Sequence, residues 1–351
     1  MNAEVQYGID TVCFYHVLTG KQAEAIISKL AKLPEFFTEV DDYEKDSYSC
    51  RSEYYADQGI KARVAKYNGK PWGLYILVHP TLLLGNDDRS ALYQPKKRSY
   101  NELLKRIEKP FEKLKIPFTL EEMALSRADI TINLIFHDAE YVSRYLRTIK
   151  KALIPAHYSL DRFRKDEHKA KNPKEANKHS YTQRCMSASY FVYDKTSQLQ
   201  MVNKFPKSMK GKRALRLEAQ LSSKAIKHRV KLNARGDPYK TLRQLYTNCK
   251  SIHKKYLKRM KLLLGDHLRY EDAVQRVNSV KGKKTRTRML EIMDALGYNN
   301  ANLSNVVEKL ELKPGAVDKA FKKFAELGFS PITVPNAEGE ALPCIRKLLN
   351  L

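Results

Sequence analysis

The sequence predicts an α+β fold: an antiparallel sheet with one chemically equipped polar face, followed by a helical C-terminal region. Three observations predict it. Residues 125–134 and 214–221 alternate apolar and polar side chains, the pattern of strands with one covered face. Residues 186–197 form a short aromatic-rich stretch between polar and basic segments, which also reads as a strand. Beyond residue 281 the pattern turns to short helical periods punctuated by Gly297, Pro314 and Gly328.

The 351 residues include 65 Lys and Arg against 39 Asp and Glu, a formal net charge of +26. Such an excess implies a polyanionic partner, nucleic acid before an anionic membrane. The hydrophobic fraction of 42% suffices for a real core, and the length suggests two domains, or one with an appendage. There is no apolar run of about 18 residues and no basic-then-apolar N-terminus, so neither a transmembrane helix nor a secretory signal is expected. Cys13, Cys50, Cys185, Cys249 and Cys344 are scattered without a Cys-x-x-Cys pair. They read as reduced cytosolic thiols, with neither a disulfide framework nor a zinc site.

In chain order, residues 5–17 read as a first strand with Asp10 in its middle, a turn or edge carboxylate or an acidic ligand. Lys21–Leu33 reads as an amphipathic helix, and residues 38–58 as a polar loop or short strands. Ile60–Tyr67 and Trp72–His79 read as a strand pair turning at Asn68-Gly69-Lys70. His79, before Pro80, is a capping or structural histidine before it is a ligand. Asn101–Leu114 reads as a helix broken by Pro110. After the Asp129 strand, Asp138 caps a helix through about Leu153, with Val142, Tyr145, Leu146 and Ile149 buried and Arg144, Arg147, Lys150 and Lys151 exposed. Residues 161–184 are basic and poor in apolar groups, a mobile loop by composition. Arg162, Arg164, Lys165, Lys169, Lys171 and Lys174 are its candidate phosphate contacts, the alternative being a solvated surface loop. Lys204, Lys207, Lys210, Lys212 and Arg213 extend the basic surface.

Pro238–Leu264 reads as one long basic helix, with Leu242, Leu245, Cys249, Ile252, Tyr256, Met260 and Leu263 as its packing stripe. Residues 281–289 look like a basic hinge, and helices at 286–296, 303–310 and 316–327 come after it. Their pattern resembles a winged helix-turn-helix, with Lys319, Lys322 and Lys323 turned toward DNA. A plain packing or dimerisation module fits nearly as well.

Strand alternation also proposes a site. Arg127, Asp129, Thr131 and Asn133 share one face of their strand, Arg216, Glu218 and Gln220 one face of theirs, and Tyr193 and Lys195 a third. If the three strands lie in one sheet, a phenol, an ammonium and two carboxylates converge. Oxygen ligands with waters suit Mg²⁺ or Mn²⁺. The plainer alternative is that Arg127/Asp129 and Arg216/Glu218 are ion pairs.

The order Ser-Arg-Ala-Asp (126–129), Tyr-Asp-Lys (193–195), Leu-Arg-Leu-Glu (215–218) resembles the filamentous-phage gene II/gene X replication initiators and, more distantly, rolling-circle plasmid initiators. The stretch from Leu74 to Asn86 is similar to the same phage family, and the similarity covers roughly residues 5–235. The resemblance implies a Rep-like replication-nuclease domain, a DNA-attacking tyrosine at Tyr193 with Lys195 beside the phosphate, and a divalent metal. It carries the acidic positions to Asp129 and Glu218, with Asp10 third because the family has an early strand with an aspartate. Two departures stand out: the chain has no His-x-His pair, and the place of a second tyrosine four positions after the first is Ser197. Tyr190, the other candidate tyrosine, falls on the opposite face.

The expectation is therefore a rolling-circle replication initiator. It would be a DNA-nicking endonuclease and strand transferase that uses Mg²⁺ or Mn²⁺ and forms a 5′-phosphotyrosine intermediate. Its partners would be origin DNA, single- and double-stranded and opened locally before cleavage, and a host helicase and polymerase. No membrane partner is expected, assembly as a homo-oligomer on DNA is left open, and the compartment is a bacterial host cytoplasm. Residues 1–235 would form the nicking domain, 236–280 a basic helical connector and 281–351 a DNA-binding domain. Arg127 and Arg216 would join the loop bases and the C-terminal lysines in holding DNA. The rival readings are a non-catalytic origin or operator binder and a relaxase.

Overall fold

The computed structural model describes residues 3–40, 48–67, 70–116, 122–160, 179–297 and 301–351. The fold is mixed α/β. Ten strands form one antiparallel sheet, and the described residues include thirteen α-helices. The strands are β1 (Glu4–Leu18), β2 (Phe36–Val40), β3 (Tyr48–Ser52), β4 (Ile60–Lys66), β5 (Trp72–Val78), β6 (Ala124–Phe136), β7 (Ser159–Leu160), β8 (Ser180–Arg184), β9 (Ala188–Asp194) and β10 (Arg213–Ser222). Their order across the sheet is β2-β3-β4-β5-β1-β6-β10-β9-β8-β7.

The three strands singled out by alternation are neighbours, β6-β10-β9. Their register keeps like faces together: Arg216 lies between Asn133 and Tyr193, Glu218 between Thr131 and Phe191, and Gln220 between Asp129 and Ser189. On the other face Ile130, Ile132, Leu217, Ala219, Tyr190 and Val192 are buried, under helices Ala139–Lys150, Pro238–Thr247 and Cys249–Arg259. The stripe from Leu242 to Leu263 is buried there. The long basic helix is in fact two, interrupted at Asn248, which leaves helical geometry with ψ near 7°.

Several boundaries differ from the sequence reading. β9 ends at Asp194, and Lys195 begins a helix, Lys195–Met201. The Asp194 carboxylate takes the Ser197 N–H at 3.0 Å and its hydroxyl at 2.7 Å, which stops the strand by capping the helix. Residues 180–184 are strand rather than loop, with Tyr181, Thr182 and Gln183 buried against β9. The helix Lys97–Lys113 continues through Pro110. The Asn68-Gly69 turn lies outside the described residues.

The supposed hinge at 281–289 is mostly helix, Lys283–Gly297. The C-terminal region docks on the sheet's helical cover: Tyr145 Oη donates to the Pro343 carbonyl at 2.8 Å, Leu303 N–H to the Lys151 carbonyl at 2.9 Å, and Lys151 Nζ to the Leu296 carbonyl at 3.0 Å. Arg144, expected on an exposed side, is buried by this docking and donates to the Glu340 carbonyl. One buried apolar cluster runs from Ile9 on the sheet to Leu349. No helix among the described residues is long and apolar enough to cross a membrane.

Candidate active site

A bulge in β1 lies at the site. Pairing of β1 with β6 slips between Ile9 and Val12. Asp10, one step past Ile9, falls on the polar face by ordinary alternation, and the one extra residue of the bulge lets Val12 return to the covered face. Beside it, the segment 86–93 crosses the sheet: Ile9 and Tyr93 exchange backbone hydrogen bonds at 2.9 and 3.0 Å. Gly8 permits the crossing, since a Cβ there would stand 2.5 Å from Leu92 Cβ and 2.8 Å from the Tyr93 carbonyl oxygen.

Tyr193 and Glu218, on adjacent strands, meet: the phenol donates to Glu218 Oε2 at 3.0 Å. Tyr193 is half-buried and Glu218 nearly buried. Burial, then the Asp129 and Asp10 carboxylates, push Glu218 up to about 8, against Arg216 and Arg127. Burial and the Glu218 charge push the Tyr193 phenol well above its ordinary value. The resting phenol is therefore protonated, and Glu218 can accept its proton once its own raised carboxyl has ionised.

Arg216 is the hub. Its side chain is 0% exposed, and it donates to Asp10 Oδ1 at 2.5 Å, Asn133 Oδ1 at 2.8 Å and the Ser90 carbonyl at 2.8 Å. Asn133 Nδ2 also donates to the Ser90 carbonyl, at 2.9 Å. The expected phosphate contact is thus a buried clamp that latches the crossing segment onto β6 and β10. Its partner is Asp10, not Glu218. Burial raises the Asp10 carboxyl, yet Arg216, Lys195 and His79 together hold it below its usual range. His79 occupies the N-cap of helix Pro80–Leu83 and its carbonyl takes the Leu83 N–H at 3.0 Å, while its ring makes no capping bond and its Nδ1 stands 3.1 Å from the Thr11 hydroxyl, beside Asp10.

Lys195 reaches the same cluster from the first turn of its helix. It is nearly buried and donates to Gln198 Oε1 at 3.0 Å. Burial, then the like charge of Arg216, pull its ammonium down to about 8, against Asp10 and Glu218. Asp129 is buried on the same face, diagonal to Glu218, and Arg127 grips it through two bonds of 2.8 and 2.5 Å. The ion-pair alternative thus holds for Arg127/Asp129, within one strand. Arg127 remains about one third exposed, at 35%.

The expected metal ligands fit a divalent cation in kind. Asp129, Glu218 and Asp10 are oxygen donors, and the like charge of Asp129 and Asp10 is felt at Glu218, which a cation would relieve. They are not gathered as a ready-made ligand set: among the described residues no three His, Cys, Asp or Glu side chains form one. Arg127 and Arg216 occupy Asp129 and Asp10, so an ion would compete with them.

Arg162, Arg164, Lys165, Lys169, Lys171 and Lys174 lie outside the described residues. Lys319 and Lys322 are exposed on helix Pro314–Glu326, while Lys323 pairs with Glu326 at 3.0 Å. Backbone bridges from Asp266, His267 and Arg269 to Phe329, Leu342 and Val334 tie down the segment after this helix.

Sequence reasoning missed Ser90 and His253. A backbone carbonyl leaves no mark in a sequence. His253 is fully buried, its Nδ1 2.9 Å from the Tyr190 hydroxyl and its Nε2 3.1 Å from the Ile130 carbonyl oxygen; its place on the Ile252–Tyr256 stripe was the available signal. That contact puts Tyr190 in the core of the covered face. No protein-family model matches the chain, and no curated protein does.

Proposed function

We propose that the chain is a DNA-nicking and rejoining enzyme with Tyr193 as nucleophile, a Rep-like rolling-circle replication initiator. The hydrogen bond from the Tyr193 phenol to Glu218 carries this reading, because it pairs a nucleophile with a base of unusually high affinity for protons. In the reaction the phenol oxygen attacks the scissile phosphorus and its proton passes to Glu218. The bond from phosphorus to the 3′-oxygen breaks, and the Lys195 ammonium supplies the proton that the leaving oxygen needs. The products are a 5′-phosphotyrosyl link and a free 3′-hydroxyl, which primes a polymerase. The reverse reaction rejoins the strand.

Lys195 also faces the negative charge that grows on the phosphate. A Mg²⁺ or Mn²⁺ ion held by Asp129 and Asp10 would polarise that phosphate and leave Glu218 as the base. The net charge of +26 supports DNA as the polyanion. Lys319 and Lys322, exposed on helix Pro314–Glu326, would meet duplex DNA in this reading.

A non-catalytic origin or operator binder is the second reading. The complete burial of Arg216 and its latch on Ser90 favour it, since the polar network would then only hold strands together. One experiment separates the two. Wild type and Tyr193→Phe are incubated with supercoiled plasmid carrying the element's own origin, with Mg²⁺, Mn²⁺ or EDTA, on gels that reveal protein attached to DNA. Nicking and a covalent 5′ adduct in wild type alone, at equal DNA affinity, support the enzyme. Binding without nicking by both proteins supports the binder.

A further inference from the structure

We propose that residues 201–205 form an apolar wedge that holds bases apart at the nick site, so that this chain opens its own duplex substrate. The inference rests on the nicking reading and gives it an element for strand opening.

Nine large apolar side chains are exposed among the described residues, and three fall within these five positions: Met201 at 54%, Val202 at 56% and Phe205 at 38%. Single exposed apolar residues are ordinary, but a cluster marks a contact surface. The cluster caps the helix Lys195–Met201, whose first residue lies in the site and whose N-cap, Asp194, comes directly after Tyr193. Seven helical residues therefore set the distance from nucleophile to patch.

Two contacts hold the segment toward the mouth of the polar face. Lys204 Nζ stands 3.9 Å from Asp57 Oδ1, and Ser208 Oγ donates to Asp88 Oδ2 at 2.5 Å. Asp88 belongs to the crossing segment that Arg216 latches, and Arg89, next in that segment, also reaches Asp57, at 3.5 Å. Asn203 takes a left-handed backbone, φ 53°, and turns the chain between Val202 and Lys204.

The surroundings select the occupant. Lys204, Lys207 and Lys210 flank the apolar residues; Lys204 stands near Asp57, while Lys207 and Lys210 are exposed. Apolar side chains ringed by lysines suit unpaired bases on a phosphate backbone: bases stack on Phe and pack on Met and Val while phosphates meet ammonium groups. A protein or lipid surface would use the apolar groups without needing a nucleophile one short helix away.

The test compares two substrates. One is relaxed duplex carrying the origin; the other is the same duplex with the nick-site segment mismatched into a permanent bubble. The variant is Met201→Ser/Val202→Ser/Phe205→Ser, with Phe205→Ala as a milder companion, and thermal unfolding checks that both keep the wild-type fold. The expected result is a loss of about tenfold or more on the duplex, from lost stacking, with cleavage of the bubble within about twofold of wild type. In a Tyr193→Phe background, wild-type 201–205 should make nick-site thymines permanganate-reactive, and the triple variant should not. Equal cleavage of both substrates by variant and wild type, or equal loss on both, overturns the wedge and leaves nicking intact. Failure of the wild type to cleave even the bubble sinks the nicking reading itself. Permanganate reactivity that persists in the triple variant overturns the wedge independently of cleavage.

Discussion

Tyr193 Oη and Glu218 Oε2 lie 3.0 Å apart across β9 and β10, with the phenol as donor. Their alpha carbons are two register steps out of line, since Tyr193 is opposite Arg216 and Glu218 opposite Phe191. The contact is a diagonal one on a single face, within the reach of long side chains.

If Glu218 takes the phenol proton, Glu218→Gln should slow nicking by about 100-fold or more while DNA binding holds, because the amide keeps the shape but accepts no proton. Single-turnover cleavage beside a binding titration checks this. An unchanged rate would leave Glu218 a structural partner of the phenol.

In the proposed reaction, Glu218 and Lys195 should set a pH profile. Glu218 works as a base only when ionised, and its proton leaves near pH 8. Lys195 works as an acid only when charged, and its proton also leaves near pH 8. The nicking rate should rise toward pH 8 and fall beyond it. Lys195→Met should lower the rate and remove the falling limb.

Arg216→Met should cost about 3–5 kcal/mol of stability, because it strands the Asp10 charge and leaves the Ser90 carbonyl and Asn133 short of a donor. Urea unfolding measures the loss. A change below about 1 kcal/mol would mean that water replaces the guanidinium and the latch is weak.

Tyr190→Phe should cost about 1–2 kcal/mol through its lost contact with buried His253, with nicking unaffected. Loss of the covalent adduct in this variant, and not in Tyr193→Phe, would move the nucleophile to Tyr190.

Burial holds His253 down at about 3 and His267 at about 4, against an ordinary 6.5. Between those values the unfolded chain binds protons that the folded chain refuses. Their contribution is full above pH 6.5 and is lost as the pH falls toward 4. Glu218, raised from 4.5 to about 8, acts with the opposite sign in that window. Urea midpoints at several pH values for wild type and His253→Gln isolate the histidine part: the variant should lose less stability between pH 7 and pH 5.

The sequence by itself determined the strands around Asp129, Tyr193 and Glu218 and the face each side chain takes. A two-residue period is local and survives any arrangement of neighbours. It also determined the buried stripe from Leu242 to Leu263 and the excess positive charge. Tertiary structure decided the rest. Arg216 became a buried clamp because a distant segment offers the Ser90 carbonyl and Asp10 reaches it from β1, two strands away in the sheet. Arg144 was covered by residues nearly two hundred positions away. Lys195 left its strand because Asp194 caps a helix, yet its length brings the ammonium back to the site. Alternation tells which way a side chain points; which charge it meets there depends on long-range packing that no local pattern records.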